Sequence, residues 1–477
     1  MTVHVPRFEA KKSRTSRLGR KVVALAGTAA LVTGIAAGIG TGSAAAASKP
    51  FCTSSKLTVT VFNFSEIPFK GALAGFEKYC PSVKVTYAIQ TTAPTYQTTL
   101  QTQKLSGQLT DIIETYDSLS PTLEVDGVVA PLNKYLNAKS FYPASYWLKG
   151  MSQSYIPPKG AQPSSFVGKQ FFVPIEADAT VFYVNNKLLG NFTINGSATT
   201  NVTSAGGTIG DDWTWQQAET VWSALTKGSV YGVCERPDWQ AQWNPFITAE
   251  GETAMGATKA DLNGAGALAA WALLIAPEQN GSGIPFATLQ KNGDQCDPSF
   301  TAGQAVFSIG VRGDLPSLQA ALGASDLTVL PIPTITGAKG SVRPTGGGSV
   351  GWGISTGAKH ISAALDFLHY FYSPAGYGAA EKTYGIVPAV TSIAADPKAV
   401  WATLPNNPAN NAAYTIAANT VQAIAPQAPG TVYSDSQTNI PNAIEAVLGG
   451  TPISTAMAAL QTQTQADYAG ALIPKQT

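Results

Sequence analysis

From about residue 56 onwards, apolar and polar residues alternate in short runs. In Lys56–Phe62 three apolar residues alternate with threonines, which is the period of a β-strand. Ser65–Tyr79 then places Phe69, Leu73 and Phe76 at helical spacing, with Ser65 expected to cap the helix, and Ser82–Ala88 alternates again. A strand, a helix and a strand within about 33 residues predict a βαβ unit, and therefore a parallel sheet.

The same patterns continue towards the C-terminus. They predict strands at Asp111–Tyr116, Val181–Val184, Val230–Cys234 and within 300–310, and helices at Gln97–Leu105, Leu119–Val125, Trp215–Leu225, Ala265–Ile275 and Ala363–Tyr372. Thr214 and Gln217 form a capping box before the third of these helices. We expect Asn191–Gly210 and Glu235–Pro245 to be polar loops, and the tail from about 390 to be helical.

The stretch Gly168–Leu189 has an unusual pattern. An apolar run containing Pro174 precedes an acidic patch, Glu176 and Asp178, and a second apolar run, Val181–Val184, follows. Proline gives a sheet no N–H, so this run cannot be an ordinary central strand. The pattern predicts a hinge that crosses between two bodies and presents carboxylates at the crossing. Leu327–Pro333 is a second proline-rich apolar crossing.

Length and composition indicate the number of lobes and argue against one class of partner. A chain of 477 residues exceeds one ordinary core, so two lobes are expected. Charged residues make up only 12% of the chain, and the first 21 positions carry seven of the 30 Lys and Arg residues and one acid. The remainder is mildly acidic and has no basic stripe, which argues against nucleic-acid binding.

The N-terminus has the pattern of an export signal. A basic start, the apolar run 22–40 and four alanines at 44–47 predict a signal peptide over residues 1–47, cleaved near Ala47. The alternative is an uncleaved membrane anchor, because the run approaches the ~20 residues that a bilayer requires. Lys49-Pro50-Phe51 before Cys52 is not a lipobox. We therefore expect an exported protein, at the cell surface or secreted.

Four cysteines lie beyond this leader: Cys52, Cys80, Cys234 and Cys296. An even number in an exported chain indicates disulfides, and four cysteines allow three pairings. A strand running up and a helix running back would place Cys52 and Cys80 at the same end, which favours Cys52–Cys80 and leaves Cys234–Cys296. Neither spacing is typical of a zinc site, and we expect no metal and no cofactor.

Several weak motifs occur together in a specific order. They are Phe76–Val85 (FEKYCPSVKV), 109–116 with 128–136, the GKQ…P…FYVNN segment at 168–186, Phe300-x-x-Gly303-x-Ala305, 346–354, and Tyr384–Pro388. In this order they resemble the maltose-binding-protein-like extracellular solute-binding proteins of ABC importers, over about 56–469. The chain departs from that family in lacking a lipobox, in having Val306 where methionine is usual, and in its extra cysteines.

The resemblance implies an α/β, two-lobed periplasmic-binding-protein-like fold, each lobe a mostly parallel sheet flanked by helices. The N-terminal lobe would comprise 48–174 with 334–388, and the C-terminal lobe 178–330 with 391–477. Hinges would lie near 174–178, 330–334 and 388–391. Such a protein captures a sugar or oligosaccharide and delivers it to an ABC transporter permease; it is not an enzyme, and we expect a monomer.

The resemblance also implies a ligand set. Carboxylates would accept hydrogen bonds from sugar hydroxyls, indoles would stack on the C–H face of a pyranose, and a guanidinium would bridge to a hydroxyl or an acid group. The residues carried over are Glu66, Tyr116, Asp117, Glu176, Trp239, Trp243, Arg312, Gly347, Trp352 and Tyr433.

Structural alternatives accompany these assignments. Trp215 and Trp222 lie on a helical stripe and are expected in a core, each ligand tryptophan could equally be a core residue, and Arg312 could pair with Asp314. Rival functions are the same fold holding a polyol or glycerol-phosphate-type solute, and, less favoured, a secreted glycoside hydrolase with two carboxylates.

Overall fold

The structure is a computed structural model of the 477-residue chain. It describes residues 52, 56–63, 65–90, 95–136, 144–148, 151–161, 163–196, 198–293, 295–338, 340–382, 386–396, 398–403, 408–421 and 432–471. No helix within these ranges is long and apolar enough to cross a membrane. The signal-peptide prediction and the motif residue Tyr384 lie outside the described residues.

Strands and helices alternate along the described chain. The strands are β1 Lys56–Phe62, β2 Lys84–Gln90, β3 Ile112–Tyr116, β4 Phe172–Pro174, β5 Asp178–Ala179, β6 Val181–Asn185, β7 Phe192–Ile194, β8 Thr200–Thr203, β9 Gly206–Ile209, β10 Tyr231–Cys234, β11 Ala305–Gly310, β12 Leu327–Pro331, β13 Ile335–Gly337, β14 Gly340–Val342, β15 Gly347–Gly348 and β16 Val350–Ile354.

Helices cover both sheets and build the tail. They are α1 Glu66–Tyr79, α2 Thr95–Leu105, α3 Ser120–Val125, α4 Asn133–Leu136, α5 Trp215–Leu225, α6 Gln240–Ala249, α7 Ala265–Gln279, α8 Phe286–Lys291, α9 Asp297–Thr301, α10 Leu315–Leu322, α11 Ile361–Phe371, α12 Pro374–Glu381, α13 Thr391–Ala394, α14 Val400–Thr403, α15 Pro408–Thr420, α16 Val432–Leu448 and α17 Ile453–Ala471.

Two mixed sheets form the framework. The first has the order β2-β1-β3-β16-β4, in which β1 pairs parallel with β2 and β3, and β16 runs antiparallel to β3 and β4. The predicted βαβ unit is β1–α1–β2, so that prediction is confirmed. The second sheet has the order β10-β11-β6-β12, in which β6 runs antiparallel to both neighbours. Pro174 ends the edge strand β4, where a missing N–H leaves no ladder bond broken.

The chain passes between the sheets through short extended segments. β4 of the first sheet is followed by β5, which pairs with β15, and then by β6 in the middle of the second sheet. Glu176 bridges to Pro388, and the Ala177 amide donates to the Val387 carbonyl at 2.9 Å. The segments at 174–181, 347–350 and 386–390 therefore lie side by side between the sheets.

Buried apolar side chains divide into two clusters. One takes its residues from 57–175 and 350–393 and surrounds the first sheet. The other takes its residues mainly from 177–335 and 394–468 and surrounds the second sheet. Trp215 and Trp222 are buried in the second cluster, as their helical stripe predicted.

Three local expectations were wrong. Asn191–Gly210 is not a loop: β7, β9 and β8 form a small sheet whose strands, three or four residues long, are too short for hydrophobic alternation to indicate them. The Glu235–Pro245 segment is not a loop throughout, because α6 begins at Gln240 and holds Pro245 in its interior. Ser65 precedes α1 but does not cap it, since its hydroxyl donates to Glu114 instead.

The structure contains both expected disulfides. Cys52 joins Cys80 with a Cα–Cα distance of 5.1 Å, and Cys234 joins Cys296 at 5.7 Å. The first links the chain before β1 to the end of α1. The second links the end of β10 to the residue preceding α9.

Candidate functional site

The candidate site lies where strand ends of both sheets meet the crossing segments. β1 ends at Phe62 and β3 at Tyr116 in the first sheet, and β10 ends at Cys234 and β11 at Gly310 in the second. Loops after the carboxyl ends of strands are the usual ligand-binding loops of α/β sheets. The polar side chains that follow these four strand ends therefore define the place to look.

Asp117 is the best-anchored acid on the first sheet. Its carboxylate accepts hydrogen bonds from the Ser118 amide at 2.7 Å and from the Ser349 amide at 3.3 Å. Burial raises the pKa of Asp117 to about 7, against the lowering effect of those amides. Ser349 also donates through its hydroxyl to the Glu176 carbonyl at 2.9 Å, so it ties the loop after β3 to the crossing.

The crossing carries two half-buried carboxyl groups. Burial raises the pKa of Glu176 to about 7. Burial and the negative charges of Glu176, Asp314 and Asp117 raise the pKa of Asp178 well above its ordinary value. Asp314 follows β11 and Asp117 follows β3, so acids from both sheets act on one crossing carboxyl. This convergence is the strongest electrostatic feature of the site.

Gly347 and its neighbours let the backbone come close to the crossing. Gly347 and Gly348 pair with Ala179 and Asp178. A Cβ at Gly347 would lie 2.8 Å from the Asp178 carbonyl oxygen, and one at Gly346 would lie 1.6 Å from the Ala241 carbonyl oxygen. Gly346 and Gly347 are therefore required for packing, and Gly347 is placed against the acidic patch.

Glu114 lies beneath the loop after β1. It is fully buried and accepts from the Phe62 amide at 2.9 Å and from the Ser65 hydroxyl at 2.5 Å. Burial is the main cause that raises the pKa of Glu114 to about 8. Glu66 follows Ser65, is half-buried, and forms an ion pair with Lys70 one helical turn on. Glu114 therefore fixes the loop from which Glu66 projects.

The second sheet contributes a loop of mixed charge. The Arg236 guanidinium lies 4.9 Å from the centre of the Trp239 ring, which is half-buried at the start of α6. Burial and Asp314 raise the pKa of Asp297 to about 7, while Arg236 lowers it. Asp297, Asp314 and Arg236 therefore lie within electrostatic reach of one another.

Arg312 is buried rather than presented at a surface. Only 2% of it is exposed, and its guanidinium lies 5.0 Å from the centre of the Tyr414 ring. The Tyr414 and Tyr183 hydroxyls are 2.8 Å apart, and Tyr183 also donates to the Val311 carbonyl. Arg312 thus belongs to a buried network at the end of β11, and the Asp314 carboxylate accepts from the Val311 amide.

Two of the predicted stacking tryptophans lie in cores. Trp243 is fully buried in α6, 6.2 Å from Trp271, and its indole N–H donates to the Asp238 carbonyl. Trp352 is 1% exposed in the middle of the first sheet, and its ring lies 4.4 Å from that of Phe371. Neither has a free ring face, because a strand or helix interior buries both sides of the side chain.

The remaining predicted residues have different settings. Tyr116 is half-buried at the end of β3, its ring 5.8 Å from that of Phe62. Tyr433 falls in the first turn of α16, and its side chain lies outside the described ones. The structure therefore brings together Glu66, Tyr116, Asp117, Glu176 and Gly347 with the crossing, and sets Trp239 on the other sheet's loop.

Sequence reasoning left out Ser349, Arg236, Asp297 and Asp314 as site residues. Arg236 and Asp314 follow the ends of predicted strands, a signal that the topology rule could have used. For Asp297 the sole signal in the sequence is its position next to Cys296. Ser349 follows the triple glycine but has no chemical mark of its own.

A small cavity adjoins the crossing. It has a volume of about 20 Å³, enough for one water molecule, and its lining includes Ser65, Phe69, Glu176, Val350, Trp352 and Ile386. Within the described part of the chain, no three His, Cys, Asp or Glu side chains are grouped so that they could hold a metal ion.

Comparison with known proteins identifies the family. Residues 71–409, more than half of the chain, match the family described as bacterial extracellular solute-binding protein. No curated protein sequence matches the chain.

Many solved structures match the fold. An ABC substrate-binding protein from Listeria monocytogenes in complex with cycloalternan has a TM-score of 0.69 at 17% identity, covering 87% of this chain and 99% of that one. The sugar-binding protein MalE from Xanthomonas citri has a TM-score of 0.69 at 16% identity, covering 87% and 98%.

The name of a third similar structure states the carbohydrate that the protein binds. The cyclic α-maltosyl-1,6-maltose binding protein from Arthrobacter globiformis has a TM-score of 0.67 at 16% identity, covering 87% and 99%. The expected two-lobed α/β fold is confirmed by these similarities, with mixed sheets rather than mostly parallel ones. This chain therefore belongs to the bacterial extracellular solute-binding protein family.

Proposed function

We propose that this protein captures a sugar or oligosaccharide between its two lobes and delivers it to the permease of an ABC transporter. The N-terminal lobe would be 48–174 with 334–388, and the C-terminal lobe 178–330 with 391–477. The two separate buried clusters, each around its own sheet, support this division. Hinges near 174–178, 330–334 and 388–391 would let one lobe rotate against the other.

The convergence of acids on the crossing is the observation that carries the proposal. Asp117 from the first sheet, Asp314 from the second and Glu176 of the crossing all raise the pKa of Asp178. Carboxyl groups accept hydrogen bonds from hydroxyls, and a neutral carboxyl can also donate one. A polyhydroxylated solute can satisfy several of these groups at once when the lobes close and exclude water.

An aromatic surface complements these acids. Trp239 is the predicted stacking tryptophan that is not fully buried, and Arg236 lies over its ring. A pyranose could replace or extend this stack, because its C–H face matches an indole. The names of the similar structures from Listeria, Xanthomonas and Arthrobacter refer to carbohydrate ligands, which favours this solute class.

The cellular setting belongs to the proposal as well. Members of the matched family are extracellular, which agrees with a signal peptide over 1–47 that is removed near Ala47. We infer a monomer that works outside the cytoplasm without a cofactor.

A solute titration tests the proposal. The purified protein is mixed with maltose, maltotriose, a cyclic maltooligosaccharide and glycerol 3-phosphate, and intrinsic tryptophan fluorescence and the melting temperature Tm are followed. We expect one carbohydrate to bind and to be recovered unchanged. Asp117→Asn and Trp239→Ala should each weaken it by about tenfold, the loss of roughly one good hydrogen bond or stacking contact.

Tyr79→Ala provides the matched control. Tyr79 is 41% exposed on α1, far along the helix from the loop after β1, so its loss should leave the affinity unchanged. Binding of glycerol 3-phosphate alone would move the solute class to a phosphorylated polyol. Cleavage of the carbohydrate would replace the binding function with a glycoside hydrolase.

A further inference from the structure

One disulfide lies next to a loop of the candidate site, and the other lies before β1, away from the strand ends that form the site. Cys234 ends β10, and the next five residues form the loop that carries Arg236 and Trp239. Cys296 immediately precedes Asp297 at the start of α9. This bond therefore lies directly under the loop of the second sheet, whereas Cys52–Cys80 joins the chain before β1 to the end of α1.

Hydrogen bonds join the loop after Cys234 to the start of α6. The Trp239 amide donates to the Arg236 carbonyl at 2.8 Å, the Arg236 amide donates to the Gln242 side chain, and the Trp243 indole N–H donates to the Asp238 carbonyl. At the near end of the loop Cys234 is fully buried and pairs in register with Ser308 of β11. The disulfide adds a covalent link from this end to α9, and the Cys296 sulfur lies 3.8 Å from the Glu235 carbonyl oxygen.

Asp297 follows Cys296 and lies within electrostatic range of Arg236, which is in the loop after Cys234. Its carboxyl is half-buried, and its pKa responds to Asp314 and to Arg236. Asp297 follows Cys296 directly and Arg236 lies two residues after Cys234, so the disulfide joins the segments that carry these two side chains. The geometry links three parts of the site's second wall: the loop 235–239, Asp297, and the turn Arg312–Asp314 at the end of β11.

We propose that the Cys234–Cys296 disulfide is a positioning element of the solute site, which fixes Arg236 and Trp239 against Asp297 so that they meet the solute in one arrangement. The proposal rests on the proposed function for its effect on binding. Its effect on the protein alone is local order of this wall. Breaking the bond frees the loop from α9 and leaves both sheets folded, because each has its own core.

Cys52–Cys80 supplies the matched control. The two bonds close loops with sequence separations of 28 and 62 residues. Because the stabilisation by a disulfide depends on the logarithm of the loop length, the loss of either bond should lower the global free energy of unfolding by a comparable amount. Only one of them lies under the site. A local effect on the wall and a general loss of stability can therefore be told apart.

The experiment compares Cys234→Ala/Cys296→Ala with Cys52→Ala/Cys80→Ala by hydrogen–deuterium exchange of the whole protein, well below both melting temperatures. We expect amide exchange in 235–243 and 297–302 to rise about tenfold in the first variant and to stay unchanged in the second. Unchanged exchange in these segments, or an equal rise in both variants, would overturn the proposal.

Binding provides the second measurement. The carbohydrate identified by the titration should bind about fivefold more weakly to Cys234→Ala/Cys296→Ala and with unchanged affinity to the control variant. Unchanged affinity in the first variant contradicts the positioning role. If no carbohydrate binds, the proposed function fails while the exchange experiment still decides the local role. Should the alanine variant not fold, the Cys52→Ala/Cys80→Ala protein is compared in the same exchange assay before and after reduction by dithiothreitol, so that Cys234–Cys296 is the bond that the reductant breaks.

Discussion

Asp111 immediately precedes β3 and Glu114 lies in the middle of that strand, yet their pKa values shift in opposite directions. Asp111 accepts from the Thr58 amide and hydroxyl and from the Lys359 and His360 amides, at 2.7–2.9 Å. Burial acts to raise the pKa of Asp111, but the hydrogen bonds from Thr58 and His360 outweigh it and lower the pKa overall. Glu114 has fewer donors and a raised pKa.

We expect Asp111→Asn to destabilise the protein by about 2–4 kcal/mol, because an amide NH₂ would face donors that need an acceptor. Since the folded pKa of Asp111 lies below the unfolded one, its contribution is present above pH ~4 and is lost as pH falls through the folded pKa. Urea denaturation at pH 7 and at acid pH measures both effects. A wild-type-like stability of Asp111→Asn at pH 7 would contradict the account.

The same isosteric change at Glu114 should have little effect. With a pKa raised to about 8, Glu114 is largely protonated at pH 7, and glutamine can still accept from the Phe62 amide and donate to Ser65. We expect Glu114→Gln to cost less than about 1 kcal/mol, and Glu114→Ala to cost about 2–4 kcal/mol through unpaired polar groups and a cavity. Equal losses in the two variants would mean that Glu114 is ionised.

At the scale of single elements, α6 and the triple glycine depend on each other. Pro245 has no N–H, so it cannot bond the Ala241 carbonyl one turn earlier in α6. Gly346 packs against that carbonyl, and any side chain there would clash with it. Pro245 therefore leaves the Ala241 carbonyl without its helical N–H donor, and Gly346, about 100 residues later in the sequence, packs against the same carbonyl.

Gly346→Ala should therefore be severely destabilising, by about 3 kcal/mol or more, because a Cβ would lie 1.6 Å from the Ala241 oxygen and the backbone must move. Gly348→Ala is the control, since a Cβ there meets no atom within 4 Å, and it should change stability by less than about 0.5 kcal/mol. Thermal unfolding of both variants tests this. A similar Tm for the two would refute the packing argument.

The elements show what a single sequence can predict. β1, α1, β2 and α5 follow from alternation, helical spacing and a capping box, because their apolar residues recur at the period of the element. In β1 the alternating threonines keep this period although both faces are buried from Val59 onwards. α6 does not, since Pro245 and its polar residues hide a helix whose burial on nearly every side comes from tertiary packing. The strands of the small sheet β7-β9-β8 are only three or four residues long, and only Phe192 and Ile209 among their residues are buried, so no period reveals the sheet.

The site was predictable to the extent that strand ends were. Asp117 and Glu176 follow or join predicted strands, and the structure places both at the crossing. The resemblance implies Trp243 and Trp352 as ligand aromatics, but both are buried by contacts with residues distant in the sequence, such as Trp271 and Phe371. Contacts of this kind, such as Trp352 opposite Glu114 of β3, leave no local mark in the sequence.

At the scale of the whole molecule, buried acids occur around both sheets. Burial raises the pKa of Glu114 and Glu381 to about 8, and that of Asp117 and Asp297 to about 7. Each group binds its proton more tightly in the folded chain than in the unfolded one. The stability that each confers is full below the unfolded pKa of about 4 and is lost as pH rises through the folded pKa.

The free energy of unfolding should therefore fall as pH rises from 5 to 8, by at least about 2 kcal/mol. Asp111 titrates below this window and cannot mask the trend. Urea denaturation at half-unit pH steps measures the slope, and Glu114→Gln should flatten it near pH 8 because glutamine does not titrate. A flat or rising wild-type profile would show that these carboxyl groups are ionised and paired in the folded protein. In that case the acids at the crossing would meet a solute as charged acceptors rather than as neutral groups that can also donate.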